Sequence, residues 1–141
     1  AATAPGAQVG LWKKNLAESI NMPEAGYQET VLIRRSESIL DFTWNGVAAD
    51  GTKSTFSYTG KVDGKARELP GGMGIVGTMI LTPEGVTRSL LKYPDGSLED
   101  KMCILVARDK MICYATLTDA SGKPSIFKEV FDRLPGPSHG R

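Results

Sequence analysis

Four polar side chains stand inside otherwise apolar stretches of the sequence: Tyr58, Arg88, Tyr114 and Glu129. A buried arginine or carboxylate is costly unless it is paired, so such groups either face water or serve a purpose inside the protein. Facing water is the simpler interpretation for each of them. In the other case Arg88 would bind a carboxylate or phenolate inside a cavity, with Tyr58 and Tyr114 beside it. The same groups could move protons in a dry pocket without a cofactor.

Other residue types exclude several familiar kinds of site. The only histidine, His139, lies in a Pro/Gly-rich tail, which argues against histidine-dependent triads and zinc sites. Cys103 and Cys113 lack the spacing of a metal-binding pair. Residues 71–74 (Gly-Gly-Met-Gly) lack the lysine and helix of a phosphate loop, and we interpret them as a flexible loop that could act as a lid. The sequence therefore predicts no metal and no cofactor, and it assigns no catalytic residue.

Composition indicates one ordinary globular unit. The 141 residues are 40% hydrophobic and 23% charged, a length and balance typical of a single domain. We expect residues 1–141 to form one domain, with flexible ends at 1–7 and 135–141. The 17 Lys and Arg residues are interspersed with 16 Asp and Glu residues, so no basic patch indicates a nucleic-acid partner. No apolar run approaches the roughly 18 residues needed to span a bilayer.

Short β-strands must position these side chains, because apolar runs alternate with turn residues at regular intervals, as in a sandwich or barrel of hairpins. Asp-Gly pairs at 50–51, 63–64 and 95–96 are strong hairpin signals. Such short connections require antiparallel neighbours. We expect an all-β, antiparallel up-and-down meander of about eight to nine strands that forms a lipocalin-like barrel. The predicted strands lie within residues 8–15, 27–35, 39–47, 54–62, 75–81, 86–93, 97–107, 111–117 and 126–133.

Alternation along the third and fourth strands collects a set of aromatic residues. Phe42 and Trp44 share one face of the third strand, and Phe56 and Tyr58 share one face of the fourth. The two pairs meet on one side of the sheet only if the connecting loop has an odd number of residues. A three-residue loop that ends in a left-handed Gly51 satisfies this condition and places Trp44 opposite Phe56. We expect that loop, and with it a surface suited to a flat, apolar ligand.

The same parity rule bears on the two cysteines. A two-residue loop at residues 109–110 places Cys103 and Cys113 on opposite faces of the sheet, and a three-residue loop places them on one face but not directly opposite. A disulfide requires close Cβ atoms. We therefore expect free, buried thiols, although an even number of cysteines also fits one disulfide in an exported protein.

Some later strands are apolar on both faces, as in residues 102–106 and at Leu90 and Leu91. One face would fill the interior of the fold. The other would lie under a loop or at a contact between two copies of the chain, so a homodimer is one expected assembly.

The motif Gly10-Leu11-Trp12, the following Asn15-Leu16-Ala17-Glu18-Ser19 and the stretch from Tyr58 to Lys65 resemble small bacterial lipocalin-like (calycin-type) proteins, which are usually exported. The resemblance spans most of the chain, and its specific part is the Gly-x-Trp opening and residues 58–65. It implies a barrel that holds an apolar ligand. It also implies that Trp12 plugs the closed end of the barrel, with Arg133 or Lys128 stacked on its ring.

Three functions follow as alternatives from these patterns. The first is binding of a small apolar or aromatic molecule. The second is cofactor-independent isomerase, cyclase or lyase chemistry in the same cavity, and the third is self-association through an exposed sheet face.

Residues 1–7 are small and lack Met, as they would after cleavage of a signal peptide. A trimmed recombinant chain would look the same. We expect a periplasmic or secreted protein. The predicted ligand-binding residues are Phe42, Trp44, Phe56, Tyr58, Arg88 and Tyr114.

Overall fold

The computed structural model describes residues 8–22, 28–36, 39–71, 73–81 and 86–135. The predicted flexible ends lie outside these ranges, apart from Pro135, and so do His139 and Tyr27. Within these ranges there is no α-helix, and none of the described segments is a helix that could cross a membrane. The strands are β1 (Gly10–Lys14), β2 (Gln28–Ser36), β3 (Ile39–Val47), β4 (Lys53–Lys61), β5 (Arg67–Glu68), β6 (Val76–Leu81), β7 (Thr87–Lys92), β8 (Leu98–Ala107), β9 (Lys110–Thr118) and β10 (Pro124–Arg133).

All ten strands belong to one antiparallel sheet, in the order β4-β3-β2-β1-β10-β9-β8-β7-β6-β5. Strands that follow one another in the chain are paired, except for β4 and β5, which are the two end strands of the sheet. In addition, β1 pairs with β10 and so joins the meander β1–β4 to the meander β5–β10. The all-β, antiparallel meander is confirmed. The strand that the sequence did not reveal is β5, because its two residues are too few to show alternation.

The sheet curls until its two end strands approach each other. The amide of Ser57 in β4 donates a hydrogen bond of 3.0 Å to the carbonyl of Pro70, which follows β5. Backbones are so close here that Gly71 has no room for a side chain: a Cβ atom would lie 2.5 Å from the carbonyl oxygen of Thr55. With a φ of +129°, Gly71 also has a conformation that other residues rarely adopt. The sheet is therefore a curled half-barrel whose edges touch beside Phe56.

The hairpin between β3 and β4 has the predicted register. Trp44 lies directly opposite Phe56, and Gly51 has a φ of +88°. The carboxylate of Asp50 accepts a hydrogen bond of 2.9 Å from the amide of Thr52, which stabilises the turn. The expected three-residue loop is confirmed, and it places both aromatic pairs on the inner face.

The prediction of free thiols is wrong, since Cys103 and Cys113 form a disulfide. The loop between their strands contains two residues, Arg108 and Asp109, which alone would place the cysteines on opposite faces. However, the register shifts between Leu105 and Ala107, where a β-bulge adds one residue to β8. The extra residue reverses the parity, so the two cysteines lie directly opposite each other on the inner face.

Inward-facing side chains form two apolar clusters. Burial of each large apolar side chain contributes roughly 1.5–3 kcal/mol to folding. The first cluster lies along β3, β4, β6 and β7 and contains Leu40, Phe56, Tyr58, Leu69, Ile75, Met79 and Leu91. The second lies along β1, β9 and β10 and contains Trp12, Met111, Cys113 and Phe131.

Candidate functional site

A cavity of about 610 Å³ lies inside the curled sheet, and members of both apolar clusters line it. Its volume falls in the range of about 300–1,000 Å³ that is usual for small-molecule sites. Because successive strands are antiparallel, the turns alternate between the two ends of the sheet. One end carries the turns at residues 94–96 and 119–122, and its lining residues Met73 and Pro94 are exposed. This end is the mouth of the cavity.

The opposite end is closed by Trp12, whose side chain is completely buried. The guanidinium carbon of Arg133 lies 4.3 Å from the centre of the Trp12 ring, which is a cation–π contact. Arg133 also donates hydrogen bonds to the carbonyls of Val9 (2.6 Å) and Arg108 (2.9 Å). The plug and its stacked cation are confirmed, and the cation is Arg133 rather than Lys128.

Gln8 completes the closed end. Its backbone carbonyl accepts a hydrogen bond of 2.9 Å from the indole nitrogen of Trp12. Its side chain donates to the carbonyl of Cys103 (2.9 Å) and accepts from the hydroxyl of Thr87 (3.0 Å). The segment before β1 is thereby attached to β7 and β8, which brings the two meanders together across the bottom of the cavity.

Three of the predicted ligand-binding residues, Phe42, Trp44 and Phe56, line the cavity together. The ring of Trp44 stacks on that of Phe56 with a centroid distance of 5.0 Å, and Phe42 meets Phe56 edge to face at 6.1 Å. Tyr58 stacks on Phe42 at 6.0 Å but does not itself line the cavity. Tyr58 therefore packs against one end of this aromatic wall.

The hydroxyl of Tyr58 is bound by the chain around β5. It donates to the carbonyl of Lys61 and accepts a hydrogen bond of 3.0 Å from the guanidinium of Arg67. The same guanidinium pairs with Asp63 at 2.8 Å. Tyr58 is thus a buried structural tyrosine, and its hydroxyl is occupied away from the cavity.

The expectation that Arg88 and Tyr114 face the cavity is wrong, because both lie on the outer surface. Arg88 pairs with Asp100 at 2.7 Å, and both side chains are about half exposed. Tyr114 is 48% exposed. Alternation shows which residues share a face but not which face is inward, and the residues of β7 that line the cavity are Thr87, Ser89 and Leu91. Other exposed apolar residues of this outer face are Leu90, Met102 and Ile126, and self-association through it stays a prediction.

Five ionisable side chains form a continuous row along the cavity wall, which we call the ionic belt. Their order in space is Glu29, Lys14, Glu129, Lys101 and Glu99. The ammonium of Lys14 contacts Glu29 and lies 2.5 Å from Glu129. The ammonium of Lys101 lies 2.5 Å from the other oxygen of Glu129 and 3.1 Å from Glu99.

An aromatic side chain with a hydrogen-bond donor lies at each end of the belt. The indole nitrogen of Trp44 donates a hydrogen bond of 2.7 Å to Glu29, and the hydroxyl of Tyr93 lies 3.4 Å from Glu99. Trp44 thus belongs both to the aromatic wall and to the ionic belt. Because its indole nitrogen is bound to Glu29, the plane of its ring is held in place before any ligand arrives.

Strand alternation and the short side chains on β9 explain how the belt forms. Lys14 lies two residues after the inward-facing Trp12, and Glu129 lies between two buried phenylalanines of β10. On β9, which separates β10 from β8, the residues opposite Glu129 and Lys101 are Cys113 and Ala115. Because these side chains are short, Lys101 reaches across β9 to Glu129.

Mutual pairing keeps the buried charges of the belt ionised. Burial raises the pKa of Glu129, but the ammonium groups of Lys101 and Lys14 outweigh it and hold the pKa below its ordinary value. Burial lowers the pKa of Lys101, but Glu129 and Glu99 raise it well above its ordinary value. Burial and the negative charge of Glu99 both raise the pKa of Tyr93, so its phenol stays neutral. Glu129, bound to two ammonium groups, is therefore a weak base.

The described residues contain no group of three or more His, Cys, Asp or Glu side chains that could hold a metal ion. Sequence reasoning identified Glu129 but missed Lys14, Glu29, Glu99 and Lys101. A signal existed for Lys14, since it shares a face with Trp12, which the Gly-x-Trp motif already placed inside.

The comparisons with known proteins concern the fold alone. No known protein family matches the sequence, and no curated protein does. Among solved structures, the S-type phycobiliprotein lyase CPES from Guillardia theta matches with a TM-score of 0.57 and 12% sequence identity. The match covers 94% of this chain and 91% of the lyase. The fold is lipocalin-like. In this calycin-type fold the ionic belt lies on the inner face of the barrel wall and lines the cavity.

Proposed function

We propose that the protein binds a small, largely apolar aromatic molecule inside its lipocalin-like barrel. The observation that carries this proposal is the cavity of about 610 Å³ with Phe42, Trp44 and Phe56 on one wall. Barrels of this size can enclose one small ligand. The mouth gives access from one end, and the Trp12 plug closes the other.

The aromatic wall is suited to a flat molecule because its rings are already arranged. Trp44 stacks on Phe56 and is bound to Glu29, so little side-chain freedom remains to be lost on binding. Aromatic pairs in stacked or edge-to-face arrangements contribute about 0.5–1.5 kcal/mol beyond the area that they bury. A flat ring of the ligand would extend the same stack.

Tryptophan fluorescence tests this proposal with pyrenemethanol as the probe. The chain has two tryptophans, and only Trp44 lines the cavity. We expect saturable quenching of Trp44 by the probe, and the Trp44→Phe variant identifies the part of the signal that belongs to this residue. Absence of saturable binding would overturn the proposal.

A pair of variants tests whether the probe occupies the cavity. Ser89 on β7 lines the cavity, so Ser89→Phe fills part of it and should weaken binding about tenfold or more. Ser57 lies on β4 between two inward-facing residues and points outward, so Ser57→Phe is the matched control and should bind like the wild type. Equal affinities for both variants would place the probe elsewhere on the protein.

A cofactor-independent isomerase, cyclase or lyase is the second candidate, supported by the carboxylates of the ionic belt in the cavity wall. The structural neighbour is itself a lyase by name. Native mass spectrometry of protein from its own organism would give the mass of a retained compound. Chromatography after incubation with that compound decides between the two functions: conversion that is lost in Glu99→Gln, where the carboxylate lines the cavity, supports an enzyme, and an unchanged compound supports binding.

We also propose that the protein works in an oxidising compartment, as a periplasmic or secreted protein does. The Cys103–Cys113 disulfide supports this, since disulfides persist mainly outside the reducing cytosol. The intact mass of protein isolated without reductant tests it. A mass two hydrogens below that of the reduced chain is expected, and a fully reduced chain would contradict the proposal.

A further inference from the structure

The ionic belt holds more negative than positive charge. Its two lysines face three glutamates, which leaves an excess of one negative charge when all five groups are ionised. Among the described residues that line the cavity, no other side chain is cationic. Asp95 at the mouth adds another carboxylate, but it accepts hydrogen bonds from the amide and hydroxyl of Ser97 in its own turn.

Among the three carboxylates of the ionic belt, Glu99 has its negative charge compensated least by neighbouring ammonium groups. Glu129 has an ammonium group 2.5 Å from each of its oxygens, and Glu29 contacts Lys14 and Trp44. Glu99 instead shares Lys101 with Glu129 and is the more distant partner, at 3.1 Å. Its other oxygen lies 3.4 Å from the hydroxyl of Tyr93, which is long for a hydrogen bond between oxygens.

The side chain of Glu99 is nevertheless removed from water, with 11% of it exposed, and it lines the cavity. An undercompensated carboxylate in such a place attracts a cation more strongly than one on the surface, because the surrounding protein screens the charge poorly. An anionic ligand would bring a second uncompensated charge beside the first and is disfavoured for the same reason.

We propose that the ligand carries a protonated nitrogen that pairs with Glu99 while its aromatic body lies against the wall of Phe42, Trp44 and Phe56. This inference rests on the proposed binding function and adds the charge of the ligand to it. The ligand class is an aromatic amine or a protonated nitrogen heterocycle. The whole chain has a net charge of +1, so general attraction to the protein surface would not select such a cation.

Three probes with one aromatic body test the charge preference: pyrenemethylamine, pyrenemethanol and pyrenecarboxylate. At neutral pH they are cationic, neutral and anionic. We expect the amine to bind about tenfold more tightly than the alcohol, and the carboxylate about tenfold more weakly than the alcohol. Binding is measured by quenching of Trp44.

Two substitutions that change the net charge equally locate the preference. Glu99→Gln should abolish the difference in affinity between the amine and the alcohol. Asp100→Asn removes the neighbouring carboxylate, which points outward and pairs with Arg88, and should leave the difference unchanged. A preference that survives Glu99→Gln, or one that disappears in Asp100→Asn, would overturn the assignment to Glu99.

The outcomes separate this inference from the proposed function. Equal binding of all three probes would leave the binding function in place and refute the charged ligand, whereas binding of none would refute both. Tyr93→Phe gives a second route should Glu99→Gln fold poorly. It removes the competing hydroxyl from Glu99, so the ratio of amine to alcohol affinity should rise about two- to threefold, and a fall in that ratio would refute the inference.

Discussion

Replacing Lys14 by methionine should strongly destabilise the protein. The side chain of Lys14 is 1% exposed, and its ammonium contacts two carboxylates, those of Glu29 and Glu129. After the substitution Glu129 keeps the ammonium of Lys101 in contact, whereas Glu29 loses its contacting ammonium and keeps the hydrogen bond from the indole nitrogen of Trp44. Removing one partner of a buried ion pair typically costs about 3–5 kcal/mol, because the other charge stays buried without compensation. A loss of this size is a large part of the roughly 5–15 kcal/mol that stabilises a typical domain.

Urea unfolding followed by tryptophan fluorescence measures this loss, and the neighbouring residue supplies the control. Lys13 is exposed on the same strand, so Lys13→Met should change the free energy of unfolding by less than about 0.5 kcal/mol. The double variant Lys14→Met/Glu29→Gln removes the ion and its unpaired partner together. It should be more stable than Lys14→Met alone by roughly 1–3 kcal/mol. The reasoning is refuted if Lys14→Met and Lys13→Met have equal effects, or if the double variant shows no recovery.

Three further predictions follow from the same structure. Replacing both Cys103 and Cys113 by Ala should lower the free energy of unfolding by about 3 kcal/mol, the value expected for a closed loop of this length, and wild-type protein unfolded in reductant should show a similar loss. Gly71→Ala should lower the melting temperature clearly more than Gly51→Ala, because both positions have a positive φ but only Gly71 has backbone within 3 Å of the new Cβ; equal losses would contradict the close approach of the sheet edges. Finally, Glu129 has a folded-state pKa below its ordinary value. Its ionised carboxylate therefore stabilises the protein fully at pH values above the ordinary pKa of glutamate, and this stabilisation is lost as the pH falls through the depressed pKa. The stability of Glu129→Gln should therefore depend less on pH between neutral and acidic conditions than that of the wild type, and parallel pH curves would count against the ion pairs.

The parts of the fold that depend on residues close together in the chain could be predicted from the sequence. The hairpin that places Trp44 opposite Phe56 follows from turn residues and alternation within some 20 residues of chain. The disulfide was missed because its register depends on the bulge between Leu105 and Ala107, which no Gly or Asp-Gly signal marks.

The ionic belt was missed for a different physical reason. Lysine and glutamate are rarely buried unless they are paired, so a strand pattern predicts them on the outer face. The pairing of Lys14 with Glu129 requires β1 and β10 to lie side by side, and that neighbourhood is a property of the whole sheet. Arg88 shows the converse error, because a cation among apolar residues suggested an anchor where the structure has an outward-facing ion pair.

The position of β1 between β2 and β10 has a consequence for the newly made chain. A ribosome adds about 5–20 residues per second, so the interval between synthesis of Trp12 and of its partner Arg133 is roughly 6 to 24 s. During that interval one edge of β1 lacks its neighbour, and the plug lacks the guanidinium that covers it. The cavity is enclosed only when β10 docks, so a ligand that is bound inside must enter after translation of β10 or be enclosed as that strand closes the sheet.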